Sequence, residues 1–242
     1  MISDSAFRHW VPGGLGLIGA IGLSCLEPGH RSDLVDEKGS VTSRADISPS
    51  GGLRALAAGL KWIAVYQAWQ NRDESGLRRE LEWVVHLNPQ TELFWLGGAR
   101  MLGFDVAAWR RSTTPDPGTH GLINREQLDQ AVQFLGRVAE FHPRRSVFLI
   151  EEAIFHLRLT GDLRSAEQAL ARAQVYDDAP DFVPQIRAEL LVKLGEDNAA
   201  LKILETELLR LGPEDPAAMN AVIRSRINEL RLRESGIDPI IL

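Results

Sequence analysis

Apolar positions recur at helical spacing along most of the chain. Leu53, Leu56, Leu60, Ile63 and Ala64 step by threes and fours, which predicts a helix over Leu53 to Asn71. Trp62, Tyr66 and Trp69 fall on another face of it. Leu77, Leu81, Val84 and Val85 predict a second helix, Ser75 to Leu87, stopped at Asn88-Pro89 because the residue before a proline is pushed out of the helical region. The same reading pairs Thr91–Arg110 with Asn124–Phe141, Arg145–Thr160 with Leu163–Tyr176, and Asp181–Leu194 with Asn198–Leu211. A last helix opens at Asp215-Pro216 and runs to about Ser235. Met219, Val222, Ile223, Ile227 and Leu230 take one side of it; Arg224, Arg226, Glu229, Arg231, Arg233 and Glu234 take the other. The expected fold class is all-α.

Over Gly161 to Pro213 the sequence repeats itself. Leu159-Thr160-Gly161-Asp162 is answered 34 residues later by Lys193-Leu194-Gly195-Glu196, Ala166 by Ala200, Leu170 by Leu204, and Pro180 roughly by Pro213. Two four-turn helices and two short turns need about 34 residues. Small residues are required where paired helices touch, and glycines close the first helix of each pair. Gly97, Gly98 and Ala99 offer a similar close approach in the second pair. Between Pro89 and Pro143 the step is one period plus about 20 residues, and the turn-rich stretch Ser112 to Gly121 predicts a loop inserted at about 111–123.

This pattern resembles the tetratricopeptide repeat family. The resemblance covers Leu53 to Leu211 in four units, good in the last two and degenerate in the first two; the first turn of the first unit lacks the usual glycine. It implies a right-handed α-solenoid with a C-terminal capping helix, in which the first helices of successive units line a concave groove for extended peptides or partner helices. Carried over by position, the groove set is Phe148, Glu151, Phe155 and Arg158, matched by Phe182, Gln185, Glu189 and Val192. Gly59, Trp62, Tyr66 and Trp69 share the spacing in the first helix, and Leu93 and Arg100 belong to the second unit. Trp62, Tyr66 and Trp69 are either groove anchors or a large-residue core between the first helices and the N-terminal segment. The stretch Leu53–Arg110 is also similar to a group of bacterial helical-repeat proteins with an N-terminal hydrophobic segment, a likeness that brings no activity.

Ahead of the repeats, Trp10 to Leu26 carries no charge and contains Leu15, Leu17, Ile18, Ile21 and Leu23, preceded by Arg8 and ended by Glu27-Pro28-Gly29. Residues 1–27 read as a signal or anchor segment near the lower length limit of a membrane span. The rival reading is an apolar helix docked on the solenoid. Gly22-Leu23-Ser24-Cys25 resembles a lipoprotein cleavage box, with Gly22 where an aliphatic residue belongs. Residues 28–50, rich in Gly, Ser, Asp and Thr, read as a linker, and 51–242 as the repeat domain. The expected place is the bacterial cell envelope, anchored in the inner membrane with the helical domain outside the cytoplasm; the alternative is cytoplasmic.

A net charge of −6 argues against a nucleic-acid grip, which needs a basic face, and a single cysteine excludes an internal disulfide framework. Enzyme chemistry is poorly represented. Glu152 and His156 lie one turn apart without further ligands. His86 and His142 precede helix-ending prolines, where they suit a helix C-terminus. Asp116 and His120 lie in the expected loop. No phosphate loop, Gly-x-Ser-x-Gly elbow or His-Glu-x-x-His is present. The expectation is a non-enzymatic, cofactor-free scaffold that binds a protein partner, tethered through residues 10–26. The alternatives are a structural subunit of an envelope complex and a ligand-binding or enzymatic protein with the inserted loop as a lid.

Overall fold

The computed structural model describes residues 49–211 and 217–234. The signal or anchor segment, and the expected linker up to residue 48, lie outside the described residues. Helices α1 (Pro49–Gln70) and α2 (Glu74–Leu87) form the first hairpin. Helix α3 starts as Glu92–Arg100, passes through a π turn at Met101–Asp105 and continues as Val106–Thr113. After a 3-10 turn at Pro117–Thr119, α4 runs over His120–Gly136 and tightens into 3-10 geometry at Arg137–Glu140. Helix α5, Ser146–Phe155, ends in a second π turn at His156–Thr160 and pairs with α6, Leu163–Ala173. Helices α7 (Val183–Lys193) and α8 (Asp197–Leu211) pair in turn, and α9 (Ala217–Glu234) packs on α8. The described residues thus form an all-α array of helical hairpins, as the repeat predicts.

Local chemistry sets the hairpin turns. Gly161 and Gly195, 34 residues apart, both take the left-handed conformation, with φ of 69° and 77°. A side chain there would meet its own carbonyl, so glycine is favoured. In the first hairpin, where the glycine is missing, Arg72 adopts φ of 53°. The next helix is then capped by an aspartate. Asp73 accepts from the Gly76 N–H at 2.9 Å, and Asp162 from the Ser165 N–H at 3.0 Å. Each satisfies a backbone donor that the first helical turn leaves unpaired.

The core runs along the array in three clusters. The first joins α1 to α5 around Val65, Leu77, Leu81, Val84, Trp95, Phe134 and Phe155. The second holds Ala153, Ala166, Leu170, Val183 and Leu190, and the third Ala188, Ala200, Leu204, Ile223, Ile227 and Leu230. Ala166 and Ala200 are fully buried, at the helix contacts the repeat assigns them. The glycines of α3 also find their neighbours. A Cβ on Gly97 would sit 3.1 Å from the Trp62 ring, on Gly98 2.8 Å from Leu81, and on Gly103 2.6 Å from the Phe155 ring.

The packing face of α1 is fixed, and two expectations change. Leu53, Leu56, Leu60 and Ile63 face outward, and α1 buries Ala58, Val65 and Ala68 instead. The leucine stripe is the more apolar face, but α2 approaches along the smaller side chains. The inserted loop at 111–123 shrinks to Thr114–Asp116 between α3 and the 3-10 turn. The extra residues lengthen α3 and α4, because Asp116 caps the new helix start through the Gly118 N–H at 2.9 Å. Val222 points outward while its neighbour Ile223 is buried.

Candidate interaction surface

The first helices α1, α3 and α5 are joined side by side through residues of the predicted groove set. Trp62 packs on Phe94, ring centroids 5.1 Å apart, and over Gly97. Trp69 donates its indole N–H to Asp105 Oδ2 at 2.8 Å, and Tyr66 stacks on Trp69 at 5.3 Å. Both tryptophans are therefore half-buried spacers between repeats, and the exposed Tyr66 lies on Trp69. Trp62 and Trp69 pack against the core beside α3, and the N-terminal segment of the core reading lies outside the described residues.

From α3 to α5 the link is ionic and aromatic. Arg100 grips Glu151 with two bonds, Nε to Oε1 at 2.8 Å and Nη2 to Oε2 at 2.6 Å. The Glu151 side chain is only 2% exposed, whereas that of Arg100 is 40% exposed. A carboxylate so deep requires its guanidinium, since removing one partner leaves an uncompensated buried charge. Beyond it, Phe104 of the first π turn packs on Phe155 at 4.7 Å, and the Arg158 guanidinium of the second lies 4.8 Å from the Phe104 ring centre.

Burial divides the predicted set. Phe148, Glu151 and Phe155 are buried, so they hold repeats together and are not open to a partner. Their 34-residue counterparts Phe182 and Gln185 are half-buried, and Glu189 is exposed and bound to Arg226 at 2.7 Å. Tyr66, Leu93 and Arg158 are exposed, and Arg100 partly so. What remains accessible is a strip of polar and aromatic tips on successive first helices, standing on a shared core.

Asp105, Phe104 and Gln127 were not singled out from the sequence. Asp105 and Phe104 sit in a π turn, whose extra residue shifts the faces that ordinary helical spacing assigns. Gln127 is fully buried, near Arg78 and Arg110. Arg110 in turn pairs with Glu126 at 2.9 Å, which holds the Glu126 carboxyl below its usual 4.5.

The residues considered for catalysis have local structural contacts. Asp116 caps a turn, and His120 Nε2 lies 3.4 Å from the Thr114 carbonyl. His142 Nε2 lies 3.1 Å from the Pro89 carbonyl, which also accepts the Trp95 indole N–H at 2.8 Å, fixing the corner between α2 and α3. Glu152 and His156 are 3.9 Å apart, and Glu152 is bound by Arg172. Among the described residues no group of three or more His, Cys, Asp or Glu could hold a metal, and no helix is long and apolar enough to cross a membrane.

No family model matches the chain, and no curated protein matches it. Among solved structures it is similar to the crystal structure of a thermophilic tetratricopeptide-repeat protein of Thermus thermophilus, at 20% identity and a TM-score of 0.40, covering 72% of this chain and 80% of that one.

Proposed function

We propose that the chain is a non-enzymatic protein-interaction module that holds an extended partner segment along its first-helix strip. The contacts are Tyr66, Leu93, Arg100, Arg158, Gln185 and Glu189. The observation that carries this reading is the fixing of exposed tips by buried or half-buried partners: Tyr66 by Trp69, Arg100 by Glu151, and Arg158 by the Phe104 ring. Side chains already held in place lose little freedom on binding, so more of each contact appears as affinity. The Arg158 guanidinium, held over the Phe104 ring, favours a segment with a carboxylate opposite it, and Tyr66 offers an aromatic anchor. The lid reading has lost its loop, since only Thr114–Asp116 separate α3 from the following turn.

A photo-crosslinking side chain placed at Tyr66 in native cells should capture a discrete partner, and Arg158→Glu should reduce the yield at least about tenfold, the size of one charge-assisted contact. The same crosslinker at exposed Gln168 on α6 is the control. Equal capture from both positions, or a yield indifferent to Arg158→Glu, overturns the reading. Tethering through residues 10–26 and an envelope location belong to the same proposal. An uncleaved chain recovered from the membrane fraction supports them; a soluble uncleaved chain removes the tether.

A further inference from the structure

The outward face of α1 carries Leu53, Leu56, Leu60, Ile63 and Tyr66, each between 49% and 68% exposed. The first four step by three, four and three, the seam spacing of a helix that packs on another helix. Beside the seam, α1 and α2 enclose an open groove of about 630 Å³, lined by Ala57, Leu60, Lys61, Ala64, Trp83 and Leu87.

Gly59 lies at the midpoint of this seam. A glycine inside a helix destabilises it relative to alanine, so its presence calls for a packing reason. Gly97, Gly98 and Gly103 each have one within the protomer. At Gly59, as at Gly52, Gly121 and Gly136, an added Cβ would meet nothing within 4 Å.

We propose that this face pairs with a second copy of the chain, the two α1 helices antiparallel about a two-fold axis beside Gly59 and Leu60. That register sets Leu53 opposite the second copy's Tyr66, Leu56 opposite its Ile63, and Leu60 opposite its Gly59. Every large side chain then faces an apolar one or the single gap. The face is self-complementary, as a two-fold interface requires. Its charges agree. Helix α1 has no carboxylate, and its two cations are bound at home: Arg54 donates to the His86 carbonyl at 3.2 Å and Lys61 to Glu80 at 2.8 Å. Pairing therefore buries no unmatched charge, and the face offers none to an acidic or basic partner. With Trp83 the exposed side chains supply on the order of 400–500 Å² per copy, below the roughly 800 Å² of a standard interface. An interface of that size is a weak, reversible one.

Sedimentation equilibrium of the full chain over a micromolar concentration series should show a monomer–dimer equilibrium. Leu56→Asp with Ile63→Asp should raise the dissociation constant at least about tenfold, with the helical circular dichroism unchanged. A second test does not depend on that variant folding. In a Cys25→Ser background, Leu56→Cys with Ile63→Cys should give a disulfide-linked dimer under mild oxidation. The two thiols of one chain, about 10 Å apart along the helix, cannot bridge each other. A native chain that stays monomeric throughout overturns the proposal. So does a dimer indifferent to the aspartates, or cross-linking by Leu56→Cys alone that matches the pair, since that reports a parallel register.

Discussion

Helices α9 and α1 close opposite ends of one array with outward faces of opposite character. On α9, Ile223, Ile227 and Leu230 are buried, while Arg226 binds Glu189 and Glu229, Arg231 binds Glu205, and Arg233 binds Glu229. On α1 the outward face is leucine and isoleucine, and its cations lean back onto α2. A stacked array needs a polar surface where stacking stops. The C-terminal end has that surface, and among the described residues the N-terminal end does not. The hairpin turns differ in the same direction, with Gly161 and Gly195 at the later hairpins and Arg72 at the first.

The sharpest way to break this comparison is to truncate one leucine at each end. Leu230 is fully buried against α8, so Leu230→Ala should cost about 3 kcal/mol through lost transfer energy and the cavity left behind. Leu60, 62% exposed, should cost less than about 0.5 kcal/mol on replacement by alanine at concentrations where the chain is monomeric. Urea midpoints of the two variants measure the contrast. Equal losses would mean that the α1 face is covered in the free protein.

The turns give a smaller effect with opposite signs. Gly161→Ala places a side chain at φ of 69° and should destabilise by about 1 kcal/mol. Arg72→Gly relieves left-handed strain of about 1–2 kcal/mol but adds about 0.4–1 kcal/mol of unfolded-chain entropy, a net gain of about 0.8 kcal/mol. Thermal melts that move both variants the same way would show that glycine is not what distinguishes the hairpins.

The sequence announces this fold most clearly where each hairpin uses the same chemistry. Gly161 and Gly195 mark left-handed turns, and Ala166 and Ala200 mark tight contacts, at one 34-residue step. It is least legible where the winning effect leaves no periodic trace. The leucine stripe of α1 outranks Ala58, Val65 and Ala68 on hydrophobicity, yet the helix packs by its small residues. The stretch 111–123 reads as loop by composition, yet Asp116 caps a turn that restarts the helix almost at once. For the candidate strip, spacing found the correct helices but not the depth of each side chain. Phe148, Glu151 and Phe155 share the nominal face of Arg158 and lie inside it, because neighbouring repeats cover their positions and a π turn begins at His156.

The smallest effect concerns what the first hairpin and the α5–α6 hairpin have in common. Asp162 is held below the usual 3.8 by the Ser165 hydroxyl and then the Ser165 backbone N–H. Asp73 is held below it by the Gly76 N–H first and the Ser75 hydroxyl second. A carboxyl whose folded pKa is depressed contributes stability that is present above its unfolded value and lost as pH falls through the folded one. Acidification from neutrality should therefore leave these caps intact until about pH 4 and weaken them below it. Asparagine keeps an oxygen for the same backbone N–H but cannot ionise. Asp162→Asn and Asp73→Asn should each flatten the fall of melting temperature below pH 4 while leaving the curve at pH 7 slightly lower. Similar flattening in both variants would place the difference between these two hairpins in the turn residue, with capping common to the two. If only Asp162→Asn responds, the cap of the first hairpin contributes little through its charge, and the contrast between the two hairpins extends to the start of α2.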